Sequence, residues 1–155
     1  MRVALTIHRR SLLVAALMLP LGGIAAPPRG PLVEVWKDPN CGCCKDWIAI
    51  LEQAGFPVRV FDTGNNAMRS KLGMPTSLGS CHTARVGGYA IEGHVPVREI
   101  QRLLREKPQA IGLTVPGMPV GSPGMDGPAY KGRKDPYDVL LIQPHGGTSV
   151  YQKYA

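Results

Sequence analysis

Three of the chain's four cysteines fall within one short run, Cys41-Gly42-Cys43-Cys44, and the fourth lies far along the chain in Cys81-His82-Thr83. Cys41 and Cys44 form a C-x-x-C pair, a spacing shared by dithiol redox centres and soft-metal sites. In a dithiol oxidoreductase Cys41 and Cys44 would be the catalytic residues, and a third thiol at Cys43 would invite wrong disulfides. In a soft-metal site it is simply another ligand. Three thiols so close together favour metal. Paired disulfides remain the bland alternative for four cysteines in an exported chain, but Cys41, Cys43 and Cys44 are too near one another in sequence to act as ordinary staples.

Two methionines fit the same chemistry. Met118 and Met125 lie in Val115-Pro116-Gly117-Met118-Pro119 and Ser122-Pro123-Gly124-Met125, where no apolar face needs filling. Methionines normally fill cores, and Met68 and Met74 are read that way. A thioether in Gly/Pro-rich chain is better explained as a soft ligand carried on a loop over the thiols. Thiolate and thioether select Cu(I) over hard cations, whereas structural zinc would gain nothing from methionine. His94, in Glu92-Gly93-His94-Val95-Pro96, reads on its own as a loop histidine, although it follows a strand and precedes a helix, where functional groups are common.

The elements that must position these residues can be read from periodicity. Leu32-Val33-Glu34-Val35-Trp36 alternates as a strand, and Asp38-Pro39-Asn40 stops it with turn chemistry. From Cys43 to Ala54, Trp47, Ile48, Leu51 and Ala54 mark one buried helical face, ended by Gly55 and Pro57. A second strand, Val58 to Phe61, precedes a short helix from Asn65 to Leu72. Thr83 to Val86 and Tyr89 to Glu92 pair across Gly87-Gly88, a dipeptide suited to left-handed turn positions. Val97 to Lys107 forms a third helix through Val97, Ile100, Leu103 and Leu104. The order β-α-β-α-β-β-α is that of an α/β, thioredoxin-like domain, here over residues 32–108. It puts the cysteine cluster at the first helix's N-terminus, where unpaired N–H groups and the helix dipole, with Lys45 nearby, favour thiolates. It also brings the loop bearing Cys81 against that cluster. Residues 109–155 form a Gly/Pro/Met-rich C-terminal extension packed on the same domain, with little periodicity over 109–137 and a terminal β-hairpin, Asp138 to Ile142 and Thr148 to Tyr154.

Residues 1–26 are set apart. His8-Arg9-Arg10 precedes an uncharged run from Ser11 to Ala26 that ends in small residues. That is the layout of a signal peptide, cleaved near Ala25 or Ala26, with 27–31 as a linker. Pro20, Gly22 and Gly23 interrupt the run, which makes it a poor membrane anchor, and no membrane span is expected in the mature chain. Cleavage removes Arg2, Arg9 and Arg10 and no acid, so the formal charge of +7 falls by three to +4. No basic cluster with interleaved aromatics remains, which argues against nucleic-acid binding.

Taken together, Cys41-Gly42-Cys43-Cys44-Lys45, Ser80-Cys81-His82-Thr83, Glu92-Gly93-His94-Val95-Pro96 and the two Gly-Met motifs over 115–125 resemble the CopG-type copper-resistance proteins, a family long catalogued as a domain of unknown function. The resemblance runs over about residues 32–154. It implies a periplasmic protein with a thioredoxin domain, a cysteine-bridged copper cluster, which the metal-bridging capacity of four nearby thiols allows to be multinuclear, and a role in interconverting Cu(I) and Cu(II) before efflux. It also implies bridging thiolates at Cys41, Cys43, Cys44 and Cys81, with His94, Met118 and Met125 completing the metal site. His82 would be a ligand or a group that orients one. His145 lies outside these motifs. Partners would be copper ions and periplasmic efflux or redox components. From the residues alone, a redox protein, a copper chaperone or sequestering protein, and a thiol–disulfide oxidoreductase all stay open.

Overall fold

The structure, a computed structural model, describes residues 30–155. The expected signal segment 1–26 and most of the linker 27–31 lie outside the described residues. The chain runs β1 (Val33–Lys37), α1 (Gly42–Gln53), β2 (Val58–Phe61), α2 (Asn66–Lys71), β3 (His82–Val86), β4 (Tyr89–Glu92), α3 (Val97–Glu106), β5 (Gly112–Thr114), β6 (Tyr137–Ile142) and β7 (Thr148–Tyr154). The elements through α3 occur in the expected order, with bounds that differ from those predicted by no more than a residue at either end.

The fold is α/β, built on a seven-stranded sheet in the order β2-β1-β3-β4-β5-β6-β7. β1 and β2 are parallel, as a helical crossover requires, and β3 and β4 are an antiparallel hairpin. Cross-strand register explains the layers. Val35, Ala84, Ile91 and Leu113 are successive partners across four strands, all fully buried. On that face Trp47 and Leu51 of α1 and Ile100 and Leu103 of α3 complete one core. One position along, the row is Thr83, Glu92 and Thr114. It points to the other face, where α2 and the turn after it pack a smaller apolar cluster around Met74, Ala90 and Ile142.

β5 was not expected. Its single large apolar residue, Leu113, is too little to register as periodicity, and the segment becomes a strand only because partners stand on both sides of it. It runs parallel to β4 and antiparallel to β6. A Cβ at Gly112 would stand 1.7 Å from the Ala90 carbonyl oxygen, so only glycine allows this approach. Through β5 the terminal hairpin joins the main sheet. The Tyr154 hydroxyl donates to Glu99 at 2.6 Å and the Tyr151 hydroxyl to Glu106 at 2.7 Å, fastening β7 to α3.

The extension also reaches the start of α1. Gly124 has φ +84°, and a Cβ there would stand 2.7 Å from the Cys43 carbonyl oxygen and 2.9 Å from the Trp47 amide nitrogen. Both obstacles are helix backbone and cannot turn aside. Gly124→Ala is expected to destabilise the protein by at least about 1–2 kcal/mol, the cost of a left-handed L-residue alone, with the steric term added to it. Chemical denaturation of the variant against the parent chain measures this, and an unchanged midpoint would show that the extension is not seated on α1.

Candidate metal centre

Three segments meet at the N-terminal end of α1. Cys41 is the residue before the helix, with extended backbone, and Cys43 and Cys44 lie in its first turn. Cys81 ends the loop before β3, next to His82, and His94 follows β4 after Gly93. Sγ of Cys41, Cys43, Cys44 and Cys81 lie within 4.8 Å of one another, and Cys81, His82 and His94 form a second such group through the shared Cys81. The approach of Cys81 to the first cluster, expected from the strand order, is therefore found.

Cys41 and Cys44 are joined in a disulfide, while Cys43 and Cys81 are free thiols. Cys43 Sγ stands 3.6 Å from Cys41 Sγ and 4.0 Å from Cys81 Sγ. Cys44 Sγ lies 3.8 Å from the Cys81 carbonyl oxygen. The four sulfurs thus form one contiguous patch that holds a closed pair and two thiols. All four can act as thiolates only after the closed pair is reduced.

The histidines are held as neutral donors. His94 Nδ1 is 2.8 Å from the Pro123 carbonyl oxygen. A carbonyl can only accept, so the proton sits on Nδ1 and Nε2 keeps its lone pair. Nε2 faces Cys81 Sγ at 3.0 Å, so in the metal-free protein the thiol donates to the imidazole. Burial lowers the His94 pKa from its ordinary value and pushes the Cys81 thiol up to about 12, with repulsion from Cys43 adding to the effect. Helix-start thiols gain from the dipole, but at Cys81 desolvation acts the other way. A metal here must displace a proton.

His82 is fully buried beneath Trp47, with ring centroids 4.3 Å apart, and its Nδ1 is 3.4 Å from Cys81 Sγ. Its Nε2 is the buried side-chain polar atom left without a partner among the described residues. Four cysteine sulfurs, with His82 and His94 grouped around the shared Cys81, make a soft donor set that suits copper better than a hard cation. Trp47, read from periodicity as a core residue, also donates through Nε1 to the Val95 carbonyl at 2.9 Å, steadying the chain just past His94.

The methionines differ. Met125 is buried and accepts a contact from the Tyr130 hydroxyl at 3.2 Å, next to Gly124 on the α1 backbone. Met118 is 53% exposed. Its loop is nonetheless tied beside Cys81, because Gly117 N donates to the Gly79 carbonyl at 3.2 Å and the Ser80 hydroxyl donates to the Gly117 carbonyl. Residues with no local sequence signal also shape the site: the Pro123 carbonyl, and the buried Arg69 and Glu92 that grip Ser80.

Burial lowers the His82 pKa from 6.5 to about 3. The unfolded chain therefore takes up this proton first as pH falls through 6.5, and the folded state only near 3. Stability of the metal-free protein is expected to decline across that window by at most about 1.4 kcal/mol per pH unit from this group. Urea midpoints at neutral and mildly acidic pH measure the slope, which should flatten in His82→Gln.

Residues 78–125 match the family described as protein of unknown function, DUF411. No curated protein matches the chain. Two solved structures do. One, titled copper resistance protein copG, form 2, is 45% identical, with a TM-score of 0.75 over 81% of this chain and 99% of that one. Form 1 is also 45% identical, with a TM-score of 0.74 over 81% of this chain and 98% of that one. No helix of the described residues is long and apolar enough to cross a membrane. With identity of that order sustained over nearly the full length of the solved chains, this chain belongs to the CopG-type copper-resistance family.

Proposed function

We propose that the chain is an exported, periplasmic copper-binding protein that holds Cu(I) in a cysteine-bridged site and interconverts Cu(I) and Cu(II) in copper resistance. The observation that carries this reading is the convergence of four cysteine sulfurs and two imidazoles within 4.8 Å in two groups that share Cys81. The metal ligands are Cys41, Cys43, Cys44, Cys81 and His94, with Met118 and Met125 from the extension; residues 1–26 are removed on export. Copper supplies one-electron redox chemistry when bound.

The chain's own residues do the rest. His94, protonated at Nδ1 and held by the Pro123 carbonyl, offers Nε2 as a fixed neutral donor. Cys81 gives up its proton on metallation, so affinity rises with pH. Cys41 and Cys44 enter as ligands when their disulfide is opened, which takes two electrons and two protons; a dithiol reductant supplies both and leaves as its own disulfide. Solvent is kept from the inner side of the site by buried Trp47 and by Gly124, which lies against α1.

A second reading, thiol–disulfide exchange with Cys41 and Cys44 as catalytic residues, is favoured by one observation: a closed C-x-x-C pair with a free thiol 3.6 Å from one of its sulfurs. A non-catalytic chaperone or sequestering protein would use the same ligands as the first.

Anaerobic titration of the mature protein with Cu(I), after dithiol reduction and against a chromophoric chelator, separates these. Reduced protein is expected to take up more Cu(I) than the disulfide form. Cys81→Ser should weaken binding by about tenfold or more, and Met118→Leu should weaken it by less. Reduced wild-type protein that takes up no Cu(I) would end the copper reading. In the exchange reading, Cys41→Ser and Cys44→Ser abolish disulfide exchange and Met118→Leu changes nothing. Cycling of copper-loaded protein between two oxidation states with an added oxidant distinguishes the redox protein from the chaperone.

A further inference from the structure

The polar row on the α2 face of the sheet has no part in the core and does not touch the cluster of donors. At its centre is Glu92, fully buried. Its Oε1 accepts from the Ser80 amide at 2.7 Å and from Arg69 Nε at 2.9 Å, and its Oε2 accepts from the Thr83 hydroxyl at 2.6 Å. Arg69, itself nearly buried, donates through Nη2 to the Ser80 carbonyl at 2.6 Å and through Nη1 to Asn66 at 2.9 Å. Asn65 donates to the same Ser80 carbonyl at 3.2 Å. Both polar groups of the Ser80 backbone are therefore held, one residue before Cys81. The carboxylate that holds them belongs to the residue two places before His94.

A buried ion pair is weak evidence for stability, since apolar or neutral residues of similar volume often serve as well. Its geometry here is specific. A guanidinium fork spans a carboxylate on one segment and a carbonyl on the other, which a flexible ammonium cannot do. The two segments it joins are those that place Cys81 Sγ 3.0 Å from His94 Nε2. We propose that Arg69 is a positioning residue for the metal site: through Glu92 and the Ser80 carbonyl it sets the separation of Cys81 from His94 without touching either. This rests on the copper reading for its purpose, but the positioning itself can be measured without copper.

The test uses the mature full-length chain as Arg69→Met/Glu92→Gln, which removes both charges at near-constant volume, and as Arg69→Lys, which keeps the charge and loses the fork. Two quantities are read in each variant at a temperature where circular dichroism shows it folded. The first is iodoacetamide alkylation of Cys81 in metal-free protein with the Cys41–Cys44 disulfide intact, resolved by mass spectrometry and referred to Cys43. The second is Cu(I) affinity after reduction, with the ultraviolet thiolate-to-copper absorption. Expected are faster alkylation of Cys81 relative to Cys43, an affinity lower by about 10- to 100-fold and an altered absorption, in both variants. If the double variant does not fold, Arg69→Lys decides. Folded variants with the parent's Cys81 alkylation ratio and the parent's Cu(I) affinity would overturn the proposal. If wild-type protein takes up no Cu(I), the copper reading fails, and the alkylation ratio alone still decides whether Arg69 positions Cys81.

Discussion

The placing of Cys81 against His94 depends on keeping a hydrogen-bonded carboxylate inside a sheet. Glu92 has no access to solvent, and burial raises its pKa against the combined pull of Thr83, Arg69 and the Ser80 amide. An isolated carboxylate so placed would be too costly to keep ionised. Three donors from three elements meet it, so the turn before β3, the end of β4 and α2 cannot move independently. The loop carrying Cys81 contains glycine and a short 3-10 turn at Thr76–Leu78, and would otherwise be free to drift. What fixes a sulfur in this protein is a hydrogen-bonded carboxylate on the opposite face of the sheet.

On the near face, the corresponding constraint is close packing of backbone on backbone. Gly124 lies against the first turn of α1, and Pro123 turns its carbonyl to His94. One dipeptide of the extension thus touches both the helix that carries Cys43 and Cys44 and the imidazole that faces Cys81. His82, between Trp47 and His94 with ring centroids 4.3 and 5.1 Å away, completes a buried wall that keeps the nitrogen donors neutral. Lys37 adds to this, because it is the cross-strand partner of His82 and its charge, paired with Asp62 at 2.5 Å, disfavours a second cation beside it.

Much of this was legible in the residues. Trp47 and Leu51, or Ile100 and Leu103, recur at helical spacing and lie where that spacing puts them. Gly87-Gly88 announced its hairpin, and the strand order implied that Cys81 would come near Cys41. What could not be read has a common character. β5 is a strand because Ala90 and Ile142 border it, not because of its own composition. The Arg69–Glu92 pair joins positions with no local pattern between them. The pairing of Cys41 with Cys44 was one option that the spacing allowed, and no rule of spacing chooses among thiol, thiolate and disulfide. The exposure of Met118 likewise depends on a loop whose course is set by Ser80 and Gly79, residues remote in sequence.

The antiparallel pairing of β5 with β6, with Thr114 opposite Leu140, has a consequence for the sulfur-bearing segment over 115–139 that it closes. Its two ends are pinned side by side by ladder hydrogen bonds, so the entropy of closing that loop is lost when the sheet forms. Loop closure grows only as the logarithm of length, about 0.6 kcal/mol per doubling, which lets a long Gly/Pro segment be spanned cheaply. Whatever occupies the space beneath it meets a segment already confined to a narrow set of paths, and the ordering of that chain is charged to folding instead of to binding.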